Sequence, residues 1–159
     1  MKRAAKFLAL LLVFLFICVI FCGCETPRPT IVFKGDFGTQ VKLKCGDFTD
    51  SYRLKKDDGG ITFQSSAEGL DFCLKDGVLT AALQDTKITV PDKISKNVPV
   101  KILAEILNES AGKEVTKDYN GVLSLHGTAA FGEWCITVAE NGVPQKCAVP
   151  QRKLSVVFG

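Results

Sequence analysis

From Thr30 onward the sequence predicts a mainly β (α+β) fold: an antiparallel sheet with one helix laid on a sheet face. Three observations predict it. Apolar and polar residues alternate over several short runs, the period of a half-buried strand. Turn signals separate these runs, at Asp57-Asp58-Gly59-Gly60, Asp76-Gly77, Asn120-Gly121 and Asn141-Gly142. One stretch, Val98 to Ala111, switches instead to the helical period.

The alternation is direct. Val41, Leu43 and Cys45 are spaced by Lys42 and Lys44, and Ile61 and Phe63 by Thr62. Phe72 and Leu74 flank Cys73, and Trp134, Ile136 and Val138 share a face opposite Cys135 and Thr137. Asn-Gly and Asp-Gly pairs close hairpins because both residues tolerate positive φ. Strands are expected near 30–34, 40–46, 51–56, 61–66, 70–75, 78–84, 86–90, 121–129, 132–139, 144–149 and 152–158.

In the helical stretch Ile102, Leu103, Ile106 and Leu107 fall on one side, and Lys101, Glu105, Asn108 and Glu109 on the other. Asn97 is suited to cap its start, and Gly112 to end it in a left-handed conformation. Pro99 is tolerated in the first turn, where its missing N–H is not needed. So short a helix is not stable alone, so its apolar stripe must lie on the sheet. Lys93 to Asn97 reads as a polar connection.

The first residues say where the chain works. Lys2, Arg3 and Lys6 precede fifteen uncharged residues, Phe7 to Phe21, and Gly23-Cys24 follows. A basic start, an apolar middle and a small residue at the cut describe a secretory signal. The ending resembles a bacterial lipobox, with Phe21 where an aliphatic residue is usual. That resemblance implies cleavage before Cys24 and a diacylglyceryl group on its thiol. The organisation is then a signal peptide at 1–23, a short tether at 24–29 and one domain at 30–159. An uncleaved membrane anchor is the alternative; the apolar run is short of the roughly 18 residues a span needs. Three of the 20 basic residues lie in the signal, which leaves basic and acidic residues balanced at 17 each. No basic patch then argues for nucleic acid or for polybasic attachment to lipid. Attachment is expected through the lipid on Cys24, on the extracytoplasmic face of the cell membrane.

Cys45, Cys73, Cys135 and Cys147 remain, with no Cys-x-x-Cys pair and only His126 as a histidine, so no zinc set forms. Cys135 and Cys147 each lie six residues from Asn141. Antiparallel strands pair symmetrically about their turn, so these two are expected to face each other, close enough for a disulfide. Cys45 and Cys73 are expected free. Catalytic residues are not found: Ser124, His126 and Asp118 are close in sequence but lack a nucleophile elbow, and on one strand Ser124 and His126 would stand about 7 Å apart. No calcium loop, phosphate loop or dinucleotide fingerprint is present, and neither a metal nor a cofactor is expected.

Several segments resemble the periplasmic lipoprotein-carrier superfamily, the LolA-like half-barrels, in the short form seen in lipoproteins of clostridia-type Gram-positives. Ile61-Thr-Phe-Gln-Ser-Ser-Ala-Glu-Gly-Leu70-Asp-Phe72 matches the family's strand, break, Gly-Leu and next strand. Lys75-Asp76-Gly77-Val78-Leu79-Thr80 follows as a hairpin, then the helix from Val98. Ile136 to Pro144 and Leu154-Ser-Val-Val-Phe158 match its closing hairpin and final strand. Ser65-Ser66-Ala67 departs from the proline usual in the family, and the cysteine pair of the last hairpin is a second departure.

The resemblance implies a curved sheet, a half-barrel, with the helix on its concave face. Acyl chains or lipoprotein lipid occupy that face in relatives with a cavity. By parity the cavity residues are Val41, Leu43, Ile61, Phe63, Phe72, Leu74, Trp134 and Ile136, with Leu103 and Ile106 from the helix. Two functions follow: an anchored lipoprotein that binds a lipid, a lipoprotein's lipid or another apolar ligand, or one whose helix fills the concavity and whose sheet is a platform for another envelope protein.

Overall fold

The computed structural model describes residues 29–33, 37–67 and 69–159. The expected signal peptide at 1–23, the expected lipidation site Cys24 and the expected tether up to residue 28 lie outside the described residues.

Eleven strands form one open antiparallel sheet. They are β1 (Phe37–Cys45), β2 (Phe48–Asp57), β3 (Gly60–Ser65), β4 (Asp71–Lys75), β5 (Val78–Leu83), β6 (Thr86–Thr89), β7 (Thr116–Lys117), β8 (Leu123–Ala129), β9 (Gly132–Val138), β10 (Pro144–Val149) and β11 (Leu154–Phe158). The spatial order is β6-β5-β4-β3-β2-β1-β11-β10-β9-β8-β7. Two meanders therefore run outward from a seam where β1 pairs with β11, with Val41 opposite Phe158 and Cys45 opposite Leu154. Two helices, α1 (Asp92–Ser95) and α2 (Pro99–Ser110), lead from the β6 edge to the β7 edge. Among the described residues, no helix is long and apolar enough to cross a membrane.

The turn chemistry sets the hairpins. Asp76 and Gly77 both take positive φ, 49° and 79°, between β4 and β5, the geometry that matches strand twist. Ten of the expected strands correspond to observed ones. The expected strand at 30–34 does not: Thr30 makes an isolated bridge to Glu114, and the Val32 N–H donates to the Gly142 carbonyl. Residues 30–32 thus tie loops together instead of joining the sheet. The strand missed is β7, whose two exposed residues are too few to show alternation.

The stripe Ile102, Leu103, Ile106 and Leu107 is 0–2% exposed and belongs to one continuous core with the sheet. Val100 and Ala104 widen that stripe. Lys101, expected on the polar side, is instead buried at 7% exposure. Its ammonium donates to the Gly77 carbonyl at 3.2 Å and the Ser95 hydroxyl at 3.0 Å. The flanking 93–97 segment, expected as a plain connection, contains most of α1 and so supplies a polar partner. Asn97 is not the cap either. Val98 holds that position without a side-chain cap, and Asn97 accepts a hydrogen bond from Arg152. Pro99 opens the helix as expected, and Gly112 is left-handed at φ 73°.

Candidate functional site

The ten residues that parity and the helix stripe assign to the apolar face all lie in or against the one core. Phe72 is partly buried; the other nine are at most 7% exposed. Register explains why they meet. Ile61 is opposite Leu74, Phe63 is opposite Phe72, and Ile136 is opposite Cys147. The reading missed Tyr52 and Leu54, whose alternation with Arg53 and Lys55 carries the same signal.

Trp134 is held by a missing side chain. Gly127 is its cross-strand partner, and a Cβ there would collide with the indole. The ring therefore lies across the β8 backbone, where any larger residue would push it out. Its Nε1 is buried and has no hydrogen-bond partner among the described residues.

Burial changes along the sheet. Leu79 and Ala81 of β5 are covered, but Leu83 on the same side is 50% exposed. Ile88 of β6, opposite Ala81, is 59% exposed, and Leu70, just before β4, is 43% exposed. All four β6 residues are exposed. The β4–β6 wing therefore presents apolar side chains and, among the described residues, a strand edge without a neighbour.

The described residues also form open hollows, and four of the ten candidates line them, Phe63 and Phe72 in one and Ile61 and Leu74 in another. One of about 460 Å³ is lined by Thr62, Gln64, Cys73, Thr80 and Lys87 among others. These residues pair across β3 to β6 on the side opposite Ile61, Leu74 and Leu79. Another, about 370 Å³, lies between the turns at Asp57–Gly60 and Lys75–Gly77 and the polar side of α2 at Glu105 and Asn108. The stripe Ile102, Leu103, Ile106 and Leu107 lines neither.

Cys135 and Cys147, expected to face each other, are not cross-strand partners. Between Pro144 and Lys146 the register shifts by one, so Val138 faces Pro144 but Ile136 faces Cys147 and Cys135 faces Ala148. A bulge reverses the parity of every residue beyond it. Cys147 thus joins the core with Ile136, while Cys135 looks out on the other side. Cys45, Cys73, Cys135 and Cys147 are all free thiols. Burial pushes the Cys147 thiol up to about 12 and also raises that of Cys135, so neither is an activated nucleophile.

On the outer side Ser124 Oγ lies 3.3 Å from His126 Nε2, and Cys135 Sγ lies 3.7 Å from the same nitrogen. Two residues apart on one strand, Ser124 and His126 were expected to be separated; their side chains lean together and close the gap. This does not make a catalytic triad. Asp118 is turned into its own loop, where it accepts from the Asn120 and Val122 N–H groups at 2.8 Å. The imidazole has no carboxylate to orient it among the described hydrogen bonds. Among the described residues, no cluster of three His, Cys, Asp or Glu is placed to hold a metal ion.

No protein-family model matches the chain, and no curated protein matches it in sequence.

Proposed function

We propose that the chain is an envelope lipoprotein, anchored through lipid on Cys24. Its domain is a LolA-like half-barrel whose helix fills the concave face and whose exposed surfaces engage another envelope protein. The observation that carries the filled form is burial. Leu103, Ile106 and Leu107 are 0% exposed, and so are Leu43, Leu54 and Phe63 of the sheet. Side chains packed on one another in this way occupy the volume that an acyl chain would need. The protein has no catalytic role in this reading.

The lipid-binding reading has one observation in its favour. Leu70, Leu83 and Ile88 extend the apolar face beyond the helix, at 43%, 50% and 59% exposure. An apolar ligand would lie there, against Phe72. Native mass spectrometry of the acylated protein purified from cells separates the two. A mass explained by chain and anchor alone is expected for the filled form; a further retained lipid overturns it. Metabolic labelling with a fatty-acid analogue tests the anchor, since Cys24→Ala should abolish the label. A Cys24→Ala protein that is still labelled would refute the lipobox.

A further inference from the structure

We propose that the end of the sheet nearest the tether lies against the bilayer, with Tyr119 seated among the lipid headgroups; this rests on the lipoprotein reading. Three observations converge on that end. The first is where the described chain begins. The Pro29 carbonyl accepts from the Val115 N–H, the Val32 N–H donates to the Gly142 carbonyl, and a side chain on Gly142 would strike the Thr30 backbone. The tether is therefore fastened beside the β9–β10 turn. From Cys24 to Pro29 the chain spans at most about 20 Å when fully extended, so an anchor on Cys24 keeps this end close to the membrane.

The second observation is the neighbouring turn. Leu123 pairs with Val138 on one side and Lys117 on the other, which sets the β7–β8 turn beside the β9–β10 turn. Asp118 fixes it: its N–H donates to the Val122 carbonyl, while its carboxylate accepts from Asn120 and Val122. Tyr119, at the tip, is 97% exposed, with Val122 at 44% and Val32 at 41%. An aromatic ring with a hydroxyl suits the boundary between headgroup and acyl chain. The third is a hollow of about 570 Å³ between the two turns, lined by Val122, Val138 and Ala139 among others. Glu140, Asn141 and Gln145 also line it, so it offers a mixed polar and apolar contact at the same end. With the charges balanced outside the signal, contact through Tyr119 should not depend on salt or on anionic lipid.

The test uses the full acylated protein carrying Tyr119→Trp, in phosphatidylcholine vesicles with brominated acyl chains. Wild type, whose one Trp134 is buried, supplies the background to subtract. Loss of the added emission, unchanged by salt, is expected. Intact mass showing acylated Cys24 without quenching overturns the docking and leaves the anchor standing. Intact mass without acyl groups overturns both. A blue-shifted emission that bromine does not quench means a protein covers the tip, which also overturns the proposal.

Discussion

The centre of the sheet and its β4–β6 wing are written in the same alternating code, yet they end differently. In β1 Val41 and Leu43 are 1% and 0% exposed. In the wing Leu83 and Ile88 are half exposed or more. The difference is cover: Leu74 and Leu79 of the same wing join the core with the α2 stripe, whereas Leu83 and Ile88 do not. Alternation tells which face a residue occupies. Only the third layer decides whether that face is covered.

The largest expected effect is at the centre. Leu103→Ala should cost about 2–5 kcal/mol, out of a total of about 5–15 for a domain. Urea unfolding would measure it, with Glu105→Ala as the partner variant that changes little. Equal losses at both positions would mean that the helix is not seated by this stripe.

Next comes overpacking toward the edge opposite the wing, between β8 and β9. Gly127→Ala sets a methyl against the Trp134 ring and should cost roughly 1–3 kcal/mol. The indole fluorescence should shift as the ring is displaced. An unchanged spectrum and midpoint would show that the ring has room.

Thiol chemistry sharpens the contrast between the two sides of the sheet. Cys147 is 1% exposed and its thiol is raised to about 12, so it should resist alkylation until the domain unfolds. Cys135, half-buried, should react in the folded state, though slowly because burial raises it too. Equal rates in native protein would contradict the bulged register. Peptide mapping after a timed pulse reads both sites at once.

The smallest effect belongs to the wing. Ile88→Ser should stay within about 0.5 kcal/mol, while weakening the partner contact proposed above if it uses this wing. A pull-down from solubilised envelopes followed by the stability measurement separates loss of partner from loss of fold. A large destabilisation would place Ile88 in the core.

Much of this fold is legible in the chain because its cues are local. Asp76-Gly77 specifies its own turn, and Ile61-Thr62-Phe63 specifies its own faces. The failures have several origins. Nothing near Lys101 announces that the Gly77 carbonyl and Ser95 will be waiting for its ammonium. The Cys135–Cys147 reading failed for a local reason, one extra residue in β10 beside Pro144, a residue confined within sheets to edges, strand starts and bulges. The exposed wing was invisible for another reason, since Leu83 and Ile88 look like any core residues until the length of α2 is known. Tyr119 carried no signal in the sequence beyond its place in a turn.

The seam between β1 and β11 has a consequence for how the molecule is made. The earliest strand of the sheet finds its second neighbour only in the last one, and the Gln40 N–H pairs with the carbonyl of Gly159. Until the ribosome has released β11, β1 presents an open edge at what will become the middle of the sheet. Such long-range closure is slow, and unfinished edges invite pairing between chains. A nascent copy of this protein therefore depends on being kept apart from its neighbours until its last strand arrives.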